Sequence, residues 1–222
     1  MIQHTPGEEP GWLADWLPAR GLTLDVAHPY RDGVVPPLAD AAALIVLGGP
    51  MGAYDDEAAP WLSEVRSRMR EAVTAGLPTL GICLGAQLLA VALGGVVERG
   101  AAGPELGLGE VDVPDGDALL PAGVLPVVQW HYDTVTELPT DAVLLASSVA
   151  YPVQAFRIGE CAWGLQFHVE AGPEMVKAWA AEDGVDGVAD PVAAAAGRLA
   201  AAGEQIAHRF ADLVSCQRLR GS

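Results

Sequence analysis

A cysteine between a strand-like and a helix-like segment is the feature that most constrains the fold of this chain. The apolar residues 77–82 favour a strand that leads to Cys83, and residues 84–93 favour a helix that leads away from it. Glycines on both sides of the cysteine tolerate the unusual backbone angles of a tight turn and leave room for a substrate. The start of the helix favours a thiolate over a thiol. The segment therefore predicts an α/β fold that presents Cys83 as a nucleophile.

A free cysteine is often only a small buried apolar residue, so this interpretation needs a partner base. Residues 164–169 are typical of a second strand, and Glu170 follows directly. Because side chains alternate along a strand, His168 and Glu170 are predicted to point to the same face. In that arrangement His168 takes the proton from Cys83, and Glu170 holds the imidazole in the required tautomer. The predicted catalytic residues are therefore Cys83, His168 and Glu170.

Three short motifs occur in order along the chain. Residues 81–87 read Gly-x-Cys-x-Gly-x-Gln, and residues 47–52 read Leu-Gly-Gly-Pro-Met-Gly, a glycine turn after an earlier strand. Residues 164–170 read Gly-x-Gln-Phe-His-x-Glu, with Val169 where proline is usual. With these motifs the chain resembles the triad-type (class I) glutamine amidotransferases, in particular stand-alone members similar to the amidotransferase part of GMP synthetase. The resemblance covers about residues 43–172.

The resemblance implies two backbone amides for an oxyanion hole, one from the glycine turn and one from the residue after the cysteine. Pro50 has no N–H, so Gly49 is the predicted donor of the turn, with Leu84 as its partner. Two such donors stabilise a tetrahedral intermediate, and the loss of one typically costs about 3 kcal/mol.

The resemblance also implies residues that bind the substrate. Gln87 lies one helical turn after Cys83 and is expected to contact the substrate glutamine through its side chain. Residues 129–133 match a loop that binds the amino-acid end of glutamine, so Tyr132 and Asp133 are predicted to bind substrate. Tyr132 stands where the family has glycine, which is expected to crowd or reshape the pocket.

The order of the other segments predicts the architecture. The apolar residues 42–47 indicate a strand buried on both faces, and residues 22–27 alternate as in a half-buried strand. Residues 10–20, before these two strands, and residues 60–76, after them, favour helices. Residues 96–148 form short β-like runs, broken by glycine and proline, that predict a small antiparallel or mixed extension. The prediction is a doubly wound, mostly parallel sheet with flanking helices, which the resemblance equates with the flavodoxin-like class I amidotransferase fold.

Composition restricts the classes of function. The 222 residues fit a single glutaminase domain over 1–222, and a net charge of −17 argues against nucleic acid and anionic membrane surfaces as partners. No apolar run approaches the roughly 20 residues of a membrane span, and no signal peptide is visible at the N-terminus. Three cysteines form neither an even disulfide framework nor a metal-ligand spacing. We therefore expect a cytoplasmic protein.

The resemblance implies hydrolysis of the side-chain amide of L-glutamine through a γ-glutamyl thioester on Cys83, without a metal or redox cofactor. No ATP-binding glycine-rich loop with lysine is present, so an ammonia-accepting synthetase is expected to act in trans, if there is one. One alternative is a stand-alone γ-glutamyl hydrolase that acts on other γ-glutamyl amides or peptides. A catalytically silent binding module is disfavoured because all three triad residues are present.

Overall fold

The structure, a computed structural model, describes residues 1–221, apart from the side chains of residues 218, 220 and 221. The helices are α1 (Leu13–Ala19), α2 (Pro29–Asp32), α3 (Trp61–Thr74), α4 (Leu84–Ala92), α5 (Pro173–Asp183) and α6 (Ala189–Gly221). The strands are β1 (Leu44–Val46), β2 (Thr79–Ile82), β3 (Val96–Arg99), β4 (Glu105–Val113), β5 (Gly123–His131), β6 (Asp133–Glu137), β7 (Ala142–Ala146), β8 (Ala155–Ile158) and β9 (Ala162–Leu165).

The central sheet has the strand order β1-β2-β9-β8-β7. β1, β2 and β9 pair in parallel, and β8 and β7 continue the sheet in antiparallel pairing. Beyond β1, Ile2 forms single parallel bridges to Val46 and to Ala27. The predicted α/β fold is confirmed, with a central sheet that is parallel on one side and antiparallel on the other.

Helices cover both faces of the sheet because the residues of β1 alternate between two cores. Leu44 and Val46 pack in a cluster with apolar residues of α3 and α4, whereas Ile45 packs in a cluster with those of α1 and α6. Every residue of β1 and β2 is buried. This arrangement explains why the β1 region is continuously apolar rather than alternating.

Two antiparallel pairs form the extension. β3 pairs with β6, and β4 pairs with β5 along their whole length, from Glu105 opposite His131 to Val113 opposite Gly123. The β4–β5 ribbon ends near Cys83, since the carbonyl of Trp130 lies within hydrogen-bond reach of the cysteine sulfur. The predicted antiparallel extension is therefore present, and one end of it reaches Cys83.

Two predicted strands differ in the structure. Residues 22–26 form no strand, and this stretch is joined to the N-terminal segment by the Ile2–Ala27 bridge and a few hydrogen bonds. The strand predicted over 164–169 ends at Leu165. After it, the amide of Gln166 bonds to Gln154 and the amide of His168 bonds to Val128, so the chain turns away from β2. No helix within residues 1–221 is both long and apolar enough to cross a membrane.

Candidate active site

Cys83 occupies a strained turn between β2 and α4. Its φ of 52° is the positive value of a non-glycine residue, the only such value within residues 1–221, and its side chain is 6% exposed. A Cβ on Gly81 would lie 2.4 Å from the carbonyl oxygen of Gly85, and one on Gly85 would lie 2.1 Å from that of Val46. The two motif glycines therefore allow α4 to approach the strands closely enough to form this turn.

The sulfur of Cys83 lies among polar groups. It donates to the carbonyl of Trp130 at 3.6 Å, and Nε2 of Gln166 donates to the sulfur at 3.8 Å. Gln166 is in turn held by Nε2 of Gln87, which donates to Oε1 of Gln166 at 3.2 Å. Cys83 is also the N-cap residue of α4, so its sulfur stands at the start of that helix. Gln166 was not among the predicted site residues, although it lies within the third motif.

His168 and Glu170 are hydrogen-bonded to each other in a buried position. Nδ1 of His168 lies 2.6 Å from Oε1 of Glu170, and the two residues are 3% and 1% exposed. Burial alone would lower the pKa of His168, but Glu170 and Cys83 outweigh burial and raise this pKa well above its usual value. The other ring nitrogen, Nε2, has no hydrogen bond of standard geometry. The ring is thus held on one side by Glu170 and leaves Nε2 for proton transfer.

Glu8 is a further acidic residue beside His168 and Glu170. It was not among the site residues predicted from the sequence. One carboxylate oxygen each from Glu8 and Glu170 and one ring nitrogen of His168 all lie within 4.8 Å of one another. Burial raises the pKa of Glu8 to about 7, although His168 has an opposing effect. No pattern in the sequence distinguishes Glu8 from the exposed Glu9 beside it.

A cavity of about 370 Å³ opens onto the cysteine and contains most of the predicted substrate-binding residues. Gly49, Gln87, Tyr132 and Asp133 line it together with Cys83. Leu84 lies directly behind, since a Cβ on Gly49 would come within 2.9 Å of its side chain. The backbone N–H of Leu84 is in the first turn of α4, where helices leave such groups without a partner inside the helix. The two predicted oxyanion donors are therefore on adjacent segments.

Gln87 supports the loop that carries Tyr132 and Asp133. Nε2 of Gln87 donates to the carbonyl of Asp133 at 3.0 Å as well as to Gln166, so both of its hydrogens are used within the protein. Nδ1 of His131 lies 3.1 Å from the same carbonyl. Contact of Gln87 with substrate stays a prediction, and the structure shows that this side chain positions the loop.

The charged residues of the cavity wall are mostly acidic. Glu8, Asp133, Glu182 and Asp183 line it, and among its described lining residues Arg99 is the one lysine or arginine. The guanidinium of Arg99 lies 4.6 Å from the ring centroid of Tyr132 and 3.5 Å from the carboxylate of Asp133. This tyrosine, at the position where the family has glycine, therefore supports a cation at the rim of the cavity.

The chain is similar to a known protein family and to a solved structure. The model described as "Glutamine amidotransferase class-I" matches residues 12–184. A crystal structure of a glutamine amidotransferase from Thermotoga maritima is similar with a TM-score of 0.84 and 30% identity, over 96% of this chain and 95% of that one.

Three proteins of related sequence are named for different activities. The glutamine amidotransferase-like protein YfeJ of Salmonella typhimurium is 31% identical over 80% of this chain and 77% of its own length. One subunit of the glutamine-hydrolysing GMP synthase of Saccharolobus solfataricus is 43% identical over 42% of this chain and 51% of its own. Gamma-glutamyl peptidase 3 of Arabidopsis thaliana is 30% identical over 60% and 55%. The chain thus spans about half the length of the latter two relatives.

Proposed function

Because the chain belongs to the class I glutamine amidotransferase family, we propose that it hydrolyses the side-chain amide of L-glutamine through a γ-glutamyl thioester on Cys83. The observation that carries this proposal is the buried 2.6 Å hydrogen bond between His168 and Glu170 beside a cysteine on a strained turn. A nucleophile, a base and a group that orients the base are the parts that covalent amide hydrolysis requires.

In the first half of the proposed reaction, Nε2 of His168 takes the proton of the Cys83 thiol, the sulfur attacks the carboxamide carbon and a C–S bond forms. The oxyanion is held by the backbone amides of Gly49 and Leu84. The C–N bond then breaks, and His168 gives a proton from Nε2 to the leaving ammonia. Glu170 keeps the imidazole in the orientation and tautomer that this transfer needs.

In the second half, water attacks the thioester carbon. His168 takes a proton from this water, the C–S bond breaks and glutamate leaves with Cys83 regenerated. The acidic cavity wall and the loop of Tyr132 and Asp133 are proposed to hold the amino-acid end of the substrate. In this proposal residues 1–222 act as one glutaminase domain, and the reaction uses no metal or redox cofactor.

We propose that the ammonia passes to a synthetase that acts in trans. The similarity to a protein named as one subunit of a GMP synthase supports this proposal. The alternative, a γ-glutamyl hydrolase acting without a partner, is supported by the similarity to a gamma-glutamyl peptidase. The same thioester chemistry serves both, and the difference lies in which leaving group the cavity accepts.

The test is the release of ammonia and glutamate from glutamine and from a panel of γ-glutamyl amides and dipeptides by the purified protein. Activity that is highest with glutamine supports the amidotransferase, and activity that is highest with another γ-glutamyl compound supports the hydrolase. A glutamine-derived diazo-ketone is expected to label Cys83, with Cys83→Ser as the negative control. Failure of both hydrolysis and labelling would contradict catalysis and favour a binding module.

A further inference from the structure

Glu8 lies beside His168, near the ring atom Cε1, and one of its carboxylate oxygens is within 4.8 Å of a carboxylate oxygen of Glu170. A Cβ on Gly48 would lie 2.9 Å from Oε2 of Glu8 and 3.0 Å from Cε1 of His168, so these two atoms surround the same small space. That space exists because residue 48 is glycine. The carboxylate of Glu8 therefore approaches the edge of the ring that carries Cε1, whereas Glu170 bonds to Nδ1.

The scaffold holds Glu8 in this position. The carbonyl of the preceding residue, Gly7, accepts a hydrogen bond from Nε1 of Trp179 at 3.1 Å. The backbone N–H of Glu8 bonds to the carbonyl of Thr5 at 3.3 Å. The ring of Trp179 also packs on that of His168, with 4.8 Å between centroids. One tryptophan thus fixes the segment of Glu8 and the histidine relative to each other.

Glu8 is a half-buried residue at the cavity wall, and one oxygen of its carboxylate is shielded from solvent without a hydrogen-bond partner. This oxygen is Oε2, and Nε2 of His168 is likewise shielded and unpaired. A shielded carboxylate oxygen is costly unless a nearby positive charge compensates it. The groups that act on Glu8 electrostatically are His168, Glu170, Glu182 and Asp183, and His168 is the one that becomes positive.

We propose that Glu8 is a second positioning carboxylate that stabilises the imidazolium form of His168 from the Cε1 side. The imidazolium is the form that donates a proton to the leaving ammonia, so this role rests on the proposed function for its use in catalysis. The charge effect itself does not depend on the substrate. Because burial raises the pKa of Glu8 to about 7, the effect is present above neutral pH and is lost as Glu8 becomes protonated.

The experiment compares Glu8→Gln with Glu9→Gln, the same substitution at the exposed neighbouring residue. Protein labelled with ¹³C at Cε1 of histidine is titrated by NMR, and the signal of His168 is assigned by its loss in His168→Gln. Glu8→Gln is expected to lower the pH at which His168 loses its proton by about one unit, a tenfold change in the proton equilibrium. Glu9→Gln is expected to leave this titration unchanged.

A kinetic measurement accompanies the titration. In Glu8→Gln the alkaline limb of the kcat profile is expected to move to lower pH in step with the titration of His168. A higher KM for substrate with an unchanged His168 titration would assign Glu8 to substrate binding and overturn the proposal. If Glu8→Gln does not fold, Glu8→Asp, which withdraws the carboxylate by one methylene, is expected to show a smaller shift in the same direction. An unchanged titration in Glu8→Asp would also overturn it.

The two proposals fail separately. If the wild-type protein hydrolyses no γ-glutamyl compound and the titration of His168 still depends on Glu8, the proposed function is wrong and the role of Glu8 stands. If hydrolysis occurs and the titration of His168 is the same in both glutamine variants, the proposed function stands and the role of Glu8 is wrong.

Discussion

At the scale of single residues, Cys83 combines a reactive group with a strained backbone. A non-glycine residue at a φ of 52° costs roughly 1–3 kcal/mol, which the packing of α4 against β1 and β2 has to offset. The turn places the sulfur at the N-terminus of a helix and at the wall of the cavity. The strain is therefore located at the residue that we propose as nucleophile.

Replacement of the sulfur tests this assignment. Cys83→Ala and Cys83→Ser are expected to lower amide hydrolysis by at least about 10³-fold. Their thermal unfolding is expected to stay close to that of the wild type, because neither substitution adds volume in the turn. Cys161→Ser is the matched control and is expected to keep full activity, since Cys161 does not line the cavity. Loss of activity in Cys161→Ser instead would contradict the role of Cys83.

The histidine and its carboxylate partner are expected to differ in importance. His168→Ala removes the group that transfers the proton, a loss of about 10² to 10⁴-fold in kcat. Glu170→Gln keeps an acceptor for the hydrogen bond from Nδ1, so its loss is expected to be smaller. Measured kcat values in the opposite order would show that Glu170 does more than orient the ring.

At the scale of elements, the site depends on how closely α4 packs against the parallel strands. Gly85→Ala would place a Cβ 2.1 Å from the carbonyl oxygen of Val46, a distance that forces the helix outward. We expect a loss of about 2–3 kcal/mol in the free energy of unfolding, together with lower activity. Gly197→Ala is the control, because a Cβ there, inside α6, meets nothing within 4 Å.

The control variant Gly197→Ala is itself expected to change the free energy of unfolding. In a helix interior, alanine is more favourable than glycine by about 0.5–1 kcal/mol, so Gly197→Ala is expected to stabilise the protein slightly. Urea unfolding of both variants measures the two free energies. Equal stability of Gly85→Ala and the wild type would show that α4 is not held as closely as the structure indicates.

His4, in the N-terminal segment beside β1, is expected to make the free energy of unfolding depend on pH. This buried residue accepts a hydrogen bond from Nε1 of Trp61 at 3.1 Å, and burial lowers its pKa from 6.5 to about 4. A histidine kept neutral in the folded state stabilises the protein above the unfolded pKa, and this stability is lost as the pH falls from about 6.5 towards 4. This contribution of His4 to the free energy of unfolding amounts to about 3 kcal/mol.

Substitution of His4 measures this contribution. His4→Gln is expected to remove this part of the acid dependence, measured as the free energy of unfolding at pH 7 and pH 4.5. If the acid dependence of the wild type persists in His4→Gln, groups other than His4 cause it.

At the scale of the whole molecule, the question is whether the isolated chain is fully active. A glutaminase coupled to a synthetase is expected to be slow alone, with the turn at residues 48–52 misaligned until a partner docks. Steady-state assays of the purified protein, with and without cell extract, measure this. A kcat near the enzyme median of about 10 s⁻¹ on any γ-glutamyl compound, unchanged by extract, would contradict the need for a partner and favour the hydrolase.

The amino-acid sequence by itself was sufficient for the α/β class, the family and the turn at Cys83, because each of these depends on short-range features. Apolar runs, helix stops and motif glycines act within a few residues of one another, so their pattern is visible along the chain. The antiparallel extension was also predicted from its short β runs, although the pairing of β4 with β5 was not.

Only the tertiary structure decided which distant groups meet at Cys83 and His168. Trp130 and Gln166 reach Cys83 from two other segments, and Glu8 reaches His168 across most of the chain. A single acidic residue in a turn-rich segment looks like an ordinary surface charge, because its burial is set by elements far away in sequence. The strand before His168 likewise ends at Leu165, and the amide of His168 bonds to Val128 of β5 instead of to a strand of the central sheet. Local patterns thus determine the elements, whereas long-range contacts determine the environment in which a carboxylate or a histidine acts.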